Sequence, residues 1–223
     1  MREGTQPGDP RRLNKVVVTC VLQDFIPPLT LSACDLFGHC ATKSSDEDRM
    51  YIADSRAGIV RASAFDGSGQ QVIVAPPNAN PTGGLALDMP RQQMYWVEAN
   101  AIKRANLDGT QVQNILSSLN APKRVGVDSG AGKLYWNEPS AVKRANLDGS
   151  GAQTLASGTA IAAMALDVTR SAFYWVDGKT MYRANLDGSG RSSVVSLEDE
   201  KDFRGNTSFL HSFLDVAVNP QTG

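Results

Sequence analysis

Cysteine is scarce and confined to one end: Cys20, Cys34 and Cys40 are the only three, and none follows them. An odd number rules out a self-contained disulfide framework. Two readings of the three residues stay open: buried or free thiols, or a Cys34–Cys40 loop bridge in an oxidising compartment. Histidine is rarer still, with only His39 and His211. His39 is the only one near the cysteines, and the spacing does not suit a zinc site. Long apolar runs are missing too. Nothing approaches the roughly 20 apolar residues that a membrane-crossing helix needs, and residues 16–31 are broken by Asp24, Pro27 and Pro28. The opening MREGTQPGDPRR lacks the apolar segment of a secretory signal, so the expectation is either an intracellular protein or a missing true N-terminus. No single sign of charge dominates: 22 Lys and Arg face 23 Asp and Glu, for a net charge of −1. No overall field draws the chain to nucleic acid or anionic lipid. A Gly-rich phosphate loop after a strand, a Ser/His/Asp set and a basic-aromatic stripe are also absent. These absences lead us to expect no cofactor, no nucleic-acid partner and no membrane span in this chain.

What the chain does have is repetition. MYWVEANAIKRANLDGT starts at Met94, LYWNEPSAVKRANLDGS at Leu134 and FYWVDGKTMYRANLDGS at Phe173. A looser copy, MYIADSRAGIVRASAFDGS, starts at Met50. The matching tyrosines Tyr51, Tyr95, Tyr135 and Tyr174 lie 44, 40 and 39 residues apart. A period of about 40 residues with strand-like segments denotes an array of like units.

One unit reads as four short strands. Residues 84–88 (GLALD) are an apolar run ending in a turn former. Residues 93–98 (QMYWVE) are rich in aromatic and β-branched types, residues 102–107 (IKRANL) follow, and residues 112–117 make a fourth run. Asp108-Gly109 between the last two is a strong turn signal, because Gly accepts positive φ and Asp can bond the local backbone. A lone meander of this kind cannot bury both faces and needs a like neighbour on each side. Radial repetition of four-stranded antiparallel sheets describes the blades of a β-propeller. A β-solenoid fits poorly, since its coils are shorter and seldom carry a turn signal at every junction. The register is strict: from Asp88, Asp128 and Asp167 to the next tyrosine is seven residues each time. From Tyr95, Tyr135 and Tyr174 to the aspartate of the Asp-Gly turn is thirteen, against fifteen in the looser copy. A slip of one would turn every buried side chain to the wrong face.

The expected fold is therefore all-β: four whole blades at about 28–77, 83–118, 124–157 and 162–196, plus stray edge strands. Residues 1–27 are a polar tail holding a stray strand at 15–22 (KVVVTCVL), which resembles the fourth strand of a preceding blade. Residues 29–35 read as a first strand, as do residues 214–219 (LDVAVN) of a further blade. This suggests an arc of a larger ring; a ring closed by four blades is the competing account. Two charged insertions interrupt the pattern, at 36–48 and 196–213, and are expected to be solvated loops.

YWVE at 95–98, YWNE at 135–138, YWVD at 174–177, three copies of RANLDG and inner strands such as GLALD at 84–88 resemble the YWTD repeat. This is the class B repeat of the low-density lipoprotein receptor family. The resemblance covers residues 28–223 and implies a six-bladed propeller, of which this chain supplies about two-thirds. It also implies a receptor ectodomain or secreted protein that binds protein ligands, and hence an extracellular location.

Candidate residues follow from the repeat. Trp96, Trp136 and Trp175 recur in register and are expected to pack between adjacent blades, with ligand stacking as the alternative. Asp108, Asp148 and Asp187 precede the turn glycines and are expected to make a local hydrogen bond. Asp88, Asp128 and Asp167 end the inner strands, where a repeated structural bond is expected and a metal near the axis is the alternative. The acids Asp54, Glu98, Glu138 and Asp177 would, by the resemblance, bond backbone or the arginines Arg61, Arg104, Arg144 and Arg183. No catalytic or metal residue stands out, since a residue present in every blade is placed by the scaffold. Asn206-Thr207-Ser208 is an N-glycosylation acceptor if the chain is secreted. The function expected is a non-catalytic protein-binding propeller whose ligand the sequence does not name. The alternatives are a metal-dependent propeller enzyme of the lactonase or gluconolactonase class, and a partial repeat array with no function of its own.

Overall fold

The computed structural model describes residues 50–54, 58–62, 69–79, 81–196, 200–201 and 207–209. Cys20, Cys34, Cys40, Asn206, the insertion at 36–48 and the expected strands at 15–22, 29–35 and 214–219 lie outside the described residues.

The first sheet comprises β1 (Met50–Asp54), β2 (Gly58–Ala62) and β3 (Gln71–Val74), in the order β1-β2-β3. Its expected inner strand is among the residues not described. The second sheet runs β4 (Leu85–Asp88), β5 (Gln93–Glu98), β6 (Ala101–Asn106) and β7 (Gln113–Leu116). The third holds β8 (Val125–Asp128), β9 (Lys133–Glu138), β10 (Ala141–Asn146) and β11 (Gln153–Ser157). The fourth holds β12 (Ile161–Asp167), β13 (Ala172–Asp177), β14 (Thr180–Asn185) and β15 (Ser192–Ser196). Every pairing is antiparallel between sequence neighbours. No helix occurs among the described residues. Within the insertion at 196–213 the structure departs from the expected open loop. A small hairpin pairs β16 (Glu200–Lys201) with β17 (Thr207–Phe209), a β-branched and aromatic run that favours strand.

The repeat is visible in the pairing itself. Tyr51 lies opposite Arg61, Tyr95 opposite Arg104, Tyr135 opposite Arg144 and Tyr174 opposite Arg183. Each fourth strand then carries one extra residue against the third, a β-bulge that bends the strand. Lys103 faces Asn114 and Ile102 faces Leu116, so Ile115 is the extra residue. The same step leaves Ile73, Leu155 and Val194 as the extra residues of β3, β11 and β15.

Successive strand residues point to opposite faces, and the tandem Tyr-Trp uses both. Trp96 packs with Tyr51, Ala53, Ile59 and Val74 of the preceding sheet. Trp136 packs with Tyr95, Val97 and Ile102, and Trp175 with Tyr135, Val142 and Ala156. Each tryptophan thus faces backward and each tyrosine of the first three sheets faces forward, so every seam is filled by one of each. All three tryptophans are essentially sealed from solvent. Truncating such a side chain to Ala costs about 3–5 kcal/mol.

Candidate functional site

Three kinds of position carry the polar residues of each blade: the Asp-Gly turn, the end of the inner strand and the end of the second strand.

At the turns, Asp108 Oδ1 accepts from the Thr110 amide at 2.9 Å and from its hydroxyl at 2.6 Å. Asp148 does the same with Ser150, and Asp187 with Ser189, at the same distances. The hydroxyl donors hold the carboxyls of Asp148 and Asp187 below the usual carboxylate range. The glycine that follows takes φ of +87°, +85° and +90° at Gly109, Gly149 and Gly188. A Cβ there would collide with the main-chain oxygen of Ile73, Ile115 or Leu155, the bulged residues of the preceding blade. Glycine is therefore required twice over, by backbone angle and by contact.

At the ends of the inner strands, Asp128 and Asp167 close the hairpin to the second strand through a turn amide, and Asp88 holds only the Arg91 side chain there. Asp128 Oδ1 accepts from the Ala131 amide at 2.9 Å, and Asp167 Oδ1 from the Arg170 amide at 3.0 Å. Asp167 also pairs with the Arg170 guanidinium at 3.0 Å and Asp88 with that of Arg91 at 3.1 Å. Arg91 continues to the Ser129 carbonyl of the next blade at 2.8 Å. The second oxygen of buried Asp88 has no partner among the described residues. No group of three His, Cys, Asp or Glu side chains suited to a metal converges among the described residues.

The second-strand acids, expected to bond backbone or arginine, divide: Asp177 bonds backbone amides, while Glu98 and Glu138 each meet an indole and a lysine. Glu98 takes the indole N–H of Trp96 at 3.0 Å and the Lys103 ammonium at 3.0 Å. Glu138 takes Trp136 at 3.1 Å and Lys143 at 2.9 Å. Arg104 and Arg144 point to the other face of the sheet and reach forward instead, to the carbonyls of Leu147 at 3.5 Å and Leu186 at 2.9 Å. The reason is alternation: an acid and an arginine an odd number of positions out of register cannot share a face, whereas the lysine one place before the arginine can. Arg183 holds the equivalent position, opposite Tyr174. Burial pushes the hydroxyls of Tyr95 and Tyr135 above the ordinary tyrosine range, with the neighbouring arginines opposing it.

Blade four breaks the pattern. Asp177 is one methylene shorter than Glu98 and Glu138, and its carboxylate accepts from the amides of Thr159 at 3.1 Å and Ala160 at 2.7 Å. The indole N–H of Trp175 is buried and finds no partner among the described residues. Tyr182 replaces the lysine and stacks on Trp175 with centroids 5.3 Å apart, and the Arg191 guanidinium lies over both rings. The lysines, Arg91 and Arg191 were not singled out from sequence. Lys103 and Lys143 recur in register and were readable as a repeat position, and so was Arg91, whose counterpart is Arg170 three residues after Asp167; Arg191 has no such counterpart.

No protein-family model matches the chain, and no curated protein does. Solved structures do. The chain is similar to one in the crystal structure of a nidogen/laminin complex, with TM-score 0.64, 21% identity, and 78% of this chain and 65% of that chain covered. The fold is a β-propeller. A gluconolactonase from Xanthomonas campestris is similar with TM-score 0.57 and 18% identity, over 77% of this chain and 63% of that one. A protein of unknown function from Bacteroides thetaiotaomicron is similar with TM-score 0.56 and 18% identity, over 78% and 52%. The chain thus spans less than two thirds of the length of each of these propellers, and at such identities the likeness carries the fold alone.

Proposed function

We propose that this propeller is a non-catalytic module that presents its surface to another protein. One observation supports this above others: the acids that recur in the blades are engaged by the scaffold. The turn aspartates hold the Thr and Ser that follow them, Asp128 and Asp167 close hairpins, and Glu98 and Glu138 hold indoles and lysines. Groups so engaged are not available as a general acid or base. Binding then falls to residues that differ between blades, above all the two insertions at 36–48 and 196–213, because loops on a rigid scaffold carry most recognition. By its YWTD-like repeats the chain is an arc of a six-bladed ring and works in the extracellular space, where Asn206 would carry a glycan.

Cross-linking of the full chain to candidate protein extracts, under oxidising and under reducing conditions, tests the proposal. The expected result is a saturable protein partner whose cross-links map to the insertions; no partner under either condition counts against it. A glycosidase-sensitive mass shift that is lost in Asn206→Gln checks the secreted location.

One feature favours a second reading, a metal-dependent lactonase-type enzyme: the free carboxylate oxygen of buried Asp88 at the end of an inner strand. Metal analysis of the purified chain with a lactone hydrolysis assay decides it. Bound calcium with turnover that fails in Asp88→Asn would establish the enzyme.

A further inference from the structure

The seam between blades three and four departs from the other two at the positions that fill it. In each earlier seam the indole donates to its own blade's glutamate, Trp96 to Glu98 at 3.0 Å and Trp136 to Glu138 at 3.1 Å. The preceding blade packs an apolar pair against that indole: Ala53 with Ile59, then Val97 with Ile102. In the seam between blades two and three, Leu119 closes over the same cluster.

Between blades three and four all three parts are replaced. Asn137 takes the place of Val97: it lies opposite Val142, on the face that packs with Trp175. It is fully buried, and its Nδ2 finds no partner among the described residues. The indole N–H of Trp175 is in the same condition. Gly158 takes the place of Leu119, since its amide bonds Ser140 O at 3.0 Å as that of Leu119 bonds Asn100 O at 2.9 Å. It gives the seam no side chain, and a Cβ there would strike the Asp177 carboxylate. One end of this seam therefore buries two donors without acceptors, and each such donor favours exposure to water. The seam is crossed there by the Ile161 amide, which bonds Pro139 O at 2.8 Å where the chain enters β12, and by exposed Arg191, which bonds Ser157 O at 3.2 Å. The opposite end is tight: Tyr135 Oη and Arg144 Nη1 both donate to Leu186 O, at 3.3 and 2.9 Å.

We propose that this seam is a hinge built into the arc: its end at Asn137 and Trp175 opens before either of the other seams, about a pivot at Leu186. Opening hydrates the two stranded donors and swings blade four as a unit. The insertion at 196–213 continues directly from β15, so it moves with that blade. The hinge rests on the contacts of the seam and not on the partner-binding role given to that insertion, so the two proposals fail separately.

Each seam carries one indole, so the three indole N–H signals in heteronuclear NMR of the full chain read the seams one by one. Trp96→Phe, Trp136→Phe and Trp175→Phe assign them. Hydrogen exchange of the Trp175 N–H is expected to be at least about tenfold faster than that of Trp96 or Trp136. Amides paired within blade four should stay protected, because the sheet moves whole. Asn137→Val, which copies Val97, should slow Trp175 exchange at least about tenfold. The Trp175 N–H gains no partner in that variant, which separates opening of the seam from mere lack of a bond. Asn137 Oδ1 also accepts from the Arg124 amide at 3.0 Å. Should its loss unfold Asn137→Val, Asp177→Glu is the second variant and should slow the same signal while those of Trp96 and Trp136 hold. Trp175 exchange no faster than that of the other indoles, fast exchange indifferent to both variants, or protection lost throughout blade four overturns the proposal.

Discussion

The shortened acid of blade four allows a sharp test of what the second-strand acids do. Asp177→Glu adds the one methylene that separates it from Glu98 and Glu138, whose carboxylates reach the indole N–H at 3.0 and 3.1 Å. Leaving the Trp175 N–H buried and unpaired costs about 1–3 kcal/mol. The new carboxylate would give up its bonds to the Thr159 and Ala160 amides. Those amides lie in an exposed turn, where water replaces the carboxylate at a net loss of about 0.5–1 kcal/mol. The first effect is the larger, and a gain of about 1–2 kcal/mol remains. For a chain of this size that raises Tm by about 2–8 °C. Denaturant unfolding followed by tryptophan fluorescence, together with calorimetry, measures it. The double-mutant control is Trp175→Phe, which removes the N–H: in that background Asp177→Glu should bring no gain. Trp175→Phe alone should cost less than Trp136→Phe, which also takes the indole donor from Glu138 and leaves it Lys143. A destabilised Asp177→Glu, or a gain that survives in Trp175→Phe, would refute the reasoning.

Other outcomes follow from the same contacts. Trp136→Ala empties the seam between blades two and three and should lose about 3–5 kcal/mol in urea unfolding. Gly149→Ala forces a side chain to φ of +85°, at about 1–2 kcal/mol, and adds a collision with Ile115 O, so its loss should exceed that figure. Asp148 and Asp187 have folded-state pKa values below their unfolded ones. Their contribution is therefore present above the carboxylate range and lost as pH falls through it toward the folded values. Carboxyl NMR titration should place Asp148 below the usual ~3.9 and show it rising in Ser150→Ala. Tyr95 and Tyr135 are shifted upward, so stability should be retained below the ordinary tyrosine range and decline as pH rises through it, with delayed tyrosinate absorbance in the native protein.

Much of the fold was readable because the physics behind it is local. The run at 93–98 is strand β5, and the Asp-Gly pairs are turns with glycine at positive φ. The constant seven-residue step from inner-strand acid to tyrosine is the hairpin that Asp128 and Asp167 close. Partner choice was far less legible. Arginine seemed the natural mate for Glu98, but Arg104 stands on the other face and the carboxylate turns to Trp96 and Lys103. The hairpin of β16 and β17 was hidden too, because its strands hold only two and three residues, too short for any period to show.

The order of residues along this chain settled the strand count per repeat, the turns and the register, since each depends on neighbours a few positions apart and on alternation of period two. The folded molecule alone decided which side chain meets which across a seam. Those meetings join residues some 40 to 50 positions apart, such as Tyr135 and Leu186. They depend on the bulge that tilts each fourth strand beneath the next blade's glycine, a displacement that no linear pattern encodes.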